Sequence, residues 1–493
     1  MLEGLLHALS PTSLLFEVVG VLIGIVFGAI PGLTATLAIA LFVPVTFLMR
    51  PDQGMIMLGG IYAGAIFGGS ISAILLNIPG TPASIVTGWE GYALARQGKA
   101  PLALGLAAMS SGIGGLISAV AVILLTPLLS DIALRFGSPE YTGLLLFSFA
   151  IVIVMMDTPL KRNVLSCAVG LVLATIGISP ITGGARFTFG YVDLMSGFNL
   201  VAALIGFFCM TQAVFLAKES LTKSTGRDVE FGAHNDYMAV ARTVVTRFGT
   251  YLRAPAVGVF LGILPAIGPV TTPFVAHALE RRFAKDKKLF GKGSVTGLIA
   301  SESSISANVG GSLIPLISLG IPGSGAAAVF IAALTLHGLQ PGPMLITNQP
   351  TLIYSFFWGF FAVNVFMMLF GLFGARYFAV VLKVPKGVIA TFVAFFSVLG
   401  SYAINNSMFD VWTMFGATFL ALLFRALEIP ILPVVLALIL GPLFEQNLDV
   451  LVTTYSGPVA VLERPFADFF FLLTVLTVAW SLYTRRKKQP EPG

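Results

Sequence analysis

The chain has 493 residues, of which 10% are charged and 57% hydrophobic, with a net charge of +6 and a mean hydropathy of +0.95. A soluble domain carries about 25% charged residues, so an ordinary water-facing surface is excluded and lipid must surround most of the chain. The basic residues gather in loops and at the tail, a membrane-topology pattern that gives no reason to expect nucleic acid.

The N-terminus, MLEGLLHALSPTS, lacks the basic n-region of a cleavable signal, so the first membrane segment is expected to direct insertion. A spanning helix needs about 20 apolar residues. Spans or half-spans are predicted near 13–30, 33–49, 55–78, 102–129, 141–156, 164–179 and 199–217. After a polar stretch come 255–279, 294–320, 324–346, 352–373, 388–404, 411–424, 430–444 and 466–484. Some must pair as re-entrant segments, leaving about 10–12 crossings. The fold class is therefore an all-α polytopic membrane protein. Residues 1–217 form an N-terminal repeat, 218–254 a polar cytoplasmic linker, 255–484 a second repeat with additional helices, and 485–493 a basic cytoplasmic tail.

The linker, the stretch 281–292 with its six Lys/Arg, and the tail are all placed on the cytoplasmic side. Residues 255–280 would then leave and return on one side, which fits a re-entrant hairpin broken at LPAIGP, 264–269. Irregular backbone at membrane depth is tolerated only where protein or a cavity surrounds it.

The two halves repeat one another. Gly24, Gly28 and Pro31 share the spacing of Gly258, Gly262 and Pro265. GGSISAILLNIPGTPAS (68–84) answers GGSLIPLISLGIPGSGAA (310–327), and Gly98-Lys-Ala-Pro101 answers Gly338-Leu-Gln-Pro341. Paired Gly/Pro interruptions in two halves point to a transporter's binding site; the plainer reading is that the prolines kink ordinary packed helices. Gly28, Pro31, Gly32, Gly262, Pro265 and Gly268 are assigned to the first break of each half.

At the second breaks, Pro79-Gly80 and Pro322-Gly323 interrupt apolar runs, and Thr81 and Ser324 stand where a helix N-cap would. A helix restarting there aims free N–H groups and a positive dipole end inward, an anion site without buried Lys or Arg. Asn77, Pro79, Gly80, Thr81, Ser84, Pro322, Gly323 and Ser324 are therefore the candidate substrate-binding residues, with Ser70, Ser72, Thr87, Ser312 and Ser318 nearby in sequence. Glu302, Ser303 and Asn308 lie in the most polar run of a span and are the candidate site for Na⁺ or H⁺. The alternative is that Glu302 is solvated at a helix end beside the basic loop. Asp157, Asp193, Asp410 and Glu428 are read as span ends, and Cys167 and Cys209 as small buried hydrophobes.

His7, His234, His277 and His337 are scattered and read as structural. HExxH, GxSxG and Walker A patterns are absent, and Phe290-Gly-Lys-Gly293 is only a fragment of a phosphate loop. No enzyme activity and no cofactor beyond a coupling ion are expected.

Residues 62–104 and 310–343, with the N-terminal GxxxGxxPGLTAT, resemble the large membrane subunit of tripartite tricarboxylate transporters. The resemblance covers almost the whole chain. It implies about a dozen helices, an ion gradient as driving force, a small membrane subunit and a periplasmic solute-binding protein as partners, and a bacterial inner-membrane location. The family pattern has Asp-Gly-Tyr where this chain has Glu90-Gly91-Tyr92, two adjacent asparagines where it has only Asn308, and Pro-Gly where it has Pro265-Ala266. The reading is a secondary transporter that takes up di- or tricarboxylates; a channel subunit and a membrane-embedded enzyme are its rivals.

Overall fold

The computed structural model describes residues 1–156, 158–221, 237–265, 267–284, 287–455 and 464–488. Asp157, linker residues 222–236 with His234, Ala266, Lys285, Asp286, residues 456–463 and tail residues 489–493 lie outside the described residues.

Apolar runs punctuated by Gly and Pro give a chain of helices. In the first half these are α1 (Leu2–Ala8), α2 (Pro11–Ala29), α3 (Ala35–Thr46), α4 (Pro51–Leu76), α5 (Ile85–Leu94), α6 (Ala100–Ala133), α7 (Ser138–Met155), α8 (Leu160–Ala174), α9 (Leu200–Leu204) and α10 (Thr211–Ser220). In the second they are α11 (Tyr237–Thr246), α12 (Phe248–Ile263), α13 (Gly268–Phe283), α14 (Val295–Leu319), α15 (Gly325–Leu336), α16 (Pro343–Asn348), α17 (Pro350–Phe378), α18 (Lys386–Asn405), α19 (Met408–Ala426), α20 (Leu432–Thr454) and α21 (Pro465–Lys488). Sheet among the described residues is one two-residue antiparallel pair, Gly177–Ile178 with Ala185–Arg186. Ten helices among the described residues are long and apolar enough to cross a membrane, at the lower end of the expected range. The expected span 324–346 is in fact two short helices, α15 and α16, because Gly338 and Gly342 take positive φ between them.

Two helix pairs, one in each half, pack alike. In the first half α2 lies along α4 with Gly20, Gly24 and Gly28 facing the α4 backbone, and Gly60, Gly64 and Gly68 facing back. In the second, α12 lies along α14 through Gly258, Gly262 and Gly311. Lipid supplies no hydrophobic drive between helices, so small residues that let backbones touch hold such pairs together.

The halves also exchange elements. Helix α6 packs chiefly against α14, with Gly114 on the Ser303 carbonyl and Gly310 on Ser118, and it also touches α12. Conversely α17, from the second half, packs against α4 and α2, and it meets α6. The same exchange recurs at the periphery. Helix α20 joins α7 and α8, while the α9–α10 rod packs on α18 and α19.

Candidate functional site

Each half has two breaks, and within a half they touch. Helix α2 stops at Ala29, Gly32 turns the chain at φ 96°, and Thr34 caps α3 by accepting from Leu37 N at 3.2 Å. Helix α4 stops at Asn77, which adopts the left-handed conformation, and Pro79-Gly80 leads to a short 3₁₀ turn, Pro82–Ser84. A β-carbon on Gly80 would strike the Gly28 carbonyl and come within 2.7 Å of Ser72 Oγ. In the second half, α12 stops at Ile263 and Gly268 opens α13, so the break falls inside the expected 264–269. Helix α14 stops at Gly320, and α15 starts behind Pro322-Gly323. A β-carbon on Gly323 would lie 2.6 Å from the Gly262 carbonyl. The equivalent glycine of each second break thus leans on the equivalent glycine of each first break.

The two breaks differ in their polar detail. Ser324 caps α15, accepting from Ala327 N at 3.1 Å, and is buried. Thr81 occupies the cap position but its hydroxyl does not cap; Oγ1 is buried and has no hydrogen-bond partner. Ser84 Oγ donates to the Thr81 carbonyl at 2.8 Å. Asn77 is exposed, whereas Pro322, Gly323 and Ser324 are buried.

Several helix N-termini gather around Ser324. A β-carbon on Gly268, the first residue of α13, would be 3.6 Å from Ser324 Cβ. One on Gly325, the first residue of α15, would be 3.5 Å from Thr36 Oγ1 in the first turn of α3. Helix α13 also packs against the Pro82–Ser84 turn. Tyr62 of α4 crosses to the other half, its hydroxyl 2.9 Å from Ser324 Oγ and 3.4 Å from Ser312 Oγ.

Glu302 lies two turns inside α14 and is 1% exposed, which rules out the solvated helix-end reading. Its carboxylate accepts from hydroxyls of the first half only: Ser70 of α4 to Oε1 at 2.7 Å, Ser111 of α6 to Oε2 at 2.8 Å, and Thr87 of α5 to Oε1. Ser303 is not beside it; its hydroxyl turns to its own helix, donating to the Ile299 carbonyl at 2.7 Å. Asn308 is held by α12 and α13, donating to Thr272 Oγ1 at 2.9 Å and to the Gly258 carbonyl at 3.4 Å, and its Oδ1 is buried without a partner. The structure therefore separates the polar run into two environments.

A second buried carboxylate, Glu90 of α5, accepts four hydrogen bonds from the second half. They come from His277 Nε2 at 2.7 Å and from the backbone N–H groups of Gly291 at 2.6 Å, Gly293 at 3.0 Å and Ser294 at 2.7 Å. Gly291 and Gly293 stand at φ 82° and 102°, so successive amides curl into a nest that favours an anion. The phosphate-loop fragment 290–293 does hold an anion, but the anion is this chain's own side chain. Gln97 donates to the Lys292 carbonyl at 3.1 Å, and Trp89 meets Phe274 and His277 edge-on.

Sequence reasoning missed Tyr62, Ser111 and the Glu90–His277 pair. Nothing in their local spacing marks them; the departure at Glu90-Gly91-Tyr92 was the one available signal. Of the span-end carboxylates that are described, Glu428 pairs with Arg162 at 2.5 Å and Asp193 is exposed, whereas Asp410, in the first turn of α19 with Asn405 donating at 2.8 Å, is buried. Cys167 and Cys209 are buried free thiols.

A family profile described as "Tripartite tricarboxylate transporter TctA family" matches residues 14–436. A 52.8 kDa Agrobacterium vitis protein from the TAR-I ttuC' 3' region, described as uncharacterized, is 33% identical over 441 residues, 90% of this chain and 87% of that one. A second uncharacterized Agrobacterium vitis protein, from the TAR-II ttuC' 3' region, is 31% identical over 191 residues, 39% of this chain and 79% of its own length. No solved structure matches the chain.

Proposed function

The chain belongs to the tripartite tricarboxylate transporter TctA family, and from that premise we propose that it is the translocating subunit of a secondary transporter that takes up di- or tricarboxylates. As a multi-pass membrane protein of that family it serves a tripartite system. In our reading it sits in the bacterial inner membrane with its C-terminus and basic loop cytoplasmic. A periplasmic binding protein delivers the anion, a small membrane subunit completes the complex, and Na⁺ or H⁺ flux drives uptake. No catalytic chemistry is assigned to it.

The observation that carries the proposal is the meeting of helix starts at Ser324. The N-termini of α3, α13 and α15 approach one another there, beside the break at Thr81. Each start presents unpaired N–H groups and about half a positive charge, which suits several carboxylates of one molecule without a buried Arg or Lys. The unpaired Thr81 Oγ1 is a spare hydrogen-bonding group at the same breaks. Gly80 and Gly323 then serve close backbone approach, and Gly28, Pro31, Gly32, Gly262, Pro265 and Gly268 hold the paired breaks together.

The test is uptake of labelled citrate and succinate into vesicles containing this chain, its small subunit and its binding protein. Gradient-dependent, saturable uptake that Gly80→Leu and Gly323→Leu each abolish, with membrane insertion intact, is the expected result. Non-saturable flux would make the protein a channel. Full uptake by both leucine variants would remove the breaks from the site.

A further inference from the structure

We infer that the coupling ion is a proton and that Glu302 is its binding group, an assignment that rests on the transport reading above. The geometry around the carboxylate favours the proton. Ser70 and Ser111 stand 2.7 and 2.8 Å from its oxygens, and Thr87 closes on the same Oε1. The two serine distances are O–H···O hydrogen-bond separations. A hard cation is held by oxygen lone pairs at roughly 2–2.6 Å, not by hydroxyl hydrogens. As placed, all three hydroxyls spend their hydrogens on the carboxylate, so holding a cation would require each of them to turn away from Glu302.

The three hydroxyls suit both protonation states. A serine or threonine hydroxyl donates one hydrogen bond and accepts others. Facing the carboxylate, all three donate. When one H⁺ from water joins a Glu302 oxygen, the new O–H donates to one hydroxyl oxygen, and that hydroxyl turns its own hydrogen elsewhere. For Thr87 the alternative partner is in place: Ser301 Oγ, 3.3 Å away. No Lys, Arg or His pairs with Glu302 among the described residues, so within the membrane its charge has no fixed partner to neutralise it.

Titratable groups on the elements packed around it are committed elsewhere or face outward. On α4, Asp52 pairs with Arg50 and Tyr62 bonds Ser324. On α5, Glu90 is held by His277 and the amide nest, and Tyr92 is half-buried. Asp131 of α6 is exposed. On α12, Tyr251 meets Ser110 and Arg253 pairs with Glu280 of α13, where Arg281 and Arg282 are exposed. All three hydroxyls belong to the first half and Glu302 to the second, so proton binding acts on the seam between halves.

The experiment is infrared difference spectroscopy of the full chain in lipid, wild type against Glu302→Gln, with no substrate added. The other buried carboxyls among the described residues, Glu17, Asp52, Glu90, Glu140, Glu280 and Asp410, cancel in the difference. The expected result is a protonated-carboxyl stretch that vanishes on raising pH, is missing in Glu302→Gln, and is unchanged when Na⁺ replaces K⁺. A band that Na⁺ removes at constant pH, or a carboxyl ionised throughout the folded range, overturns the assignment. If Glu302→Gln does not fold, Ser111→Ala removes one donor and keeps the carboxyl; the stretch must then shift in frequency, and an unshifted stretch also overturns it. Because no substrate enters the measurement, its outcome is independent of whether uptake is found.

Discussion

Replacing Glu90 with Ala tests the tie between α5 and the loop before α14. The wild-type carboxylate satisfies three backbone N–H groups and His277, all from the second half. Removing one partner of a buried charged network costs about 3–5 kcal/mol. Each N–H left dry adds roughly 1–3 kcal/mol, but Gly291 is exposed and can turn to water, which holds the total near the lower bound. We therefore expect Glu90→Ala to lose about 3 kcal/mol in local opening of 287–294, a factor of about 150 in the opening constant. Amide exchange at Gly293 and Ser294 reads this directly, and a thermal melt reads its global share. Glu90→Asp should recover most of the protection because it keeps the charge and shortens the side chain by only one carbon. Unchanged exchange at Gly293 and Ser294 in Glu90→Ala would refute the reasoning, since the nest would then stand without its anion.

The two caps should respond differently to the same change. Ser324→Ala removes both the α15 cap and the bond to Tyr62 and should cost about 1–2 kcal/mol of stability. Thr81→Ala removes a hydroxyl with no partner and should leave the melting temperature within a degree or two while raising the apparent KM for citrate several-fold. Equal losses of stability would show that Thr81 has a structural bond after all. Glu17, fully buried in α2 with neither carboxylate oxygen hydrogen-bonded, should be dispensable for stability. Glu17→Met is expected to be neutral or stabilising in a thermal melt, and a loss above ~2 kcal/mol would reveal an ion or partner held there.

The membrane class, the helix-rich fold and the helix breaks were legible because lipid imposes composition directly, and because Gly and Pro mark breaks by their backbone constraints alone. Gly28 against Gly80 and Gly262 against Gly323 are the clearest return on that reading. Glu302 was legible as a rare charge in an apolar run, but its partners were not. Ser111 is 191 positions away, and a serine on a membrane helix has no pattern that announces its target. The Glu90 nest was hidden for the same reason, its donors standing 187–204 residues downstream. Ser303 was misjudged because one residue along a helix turns the side chain by about 100°, enough to send its hydroxyl to its own backbone. The exchange of α6 and α17 was invisible, since hydropathy records that a helix is buried and not which helix covers it.

That exchange decides what the halves can do apart. If the repeats were separate domains, a chain cut at residue 228 would yield two pieces that fold alone. The packing says otherwise. Without the second half, α6 loses the α14 backbone that Gly114 fits against, and Glu90 loses all four of its donors. Without the first half, Glu302 becomes a buried carboxylate with no hydrogen bond, and α17 loses α2 and α4. A stranded buried charge alone costs several kcal/mol, comparable with the whole stability of a domain at about 5–15 kcal/mol. Fragments 1–228 and 229–493 should therefore aggregate or be degraded when made singly, yet co-purify as a stable pair when made together. Size-exclusion chromatography in detergent with a thermal melt on each sample reads the outcome. A monodisperse, cooperatively melting 1–228 fragment would show that each repeat closes its own core, and that the crossed helices are an ornament of packing instead of its basis.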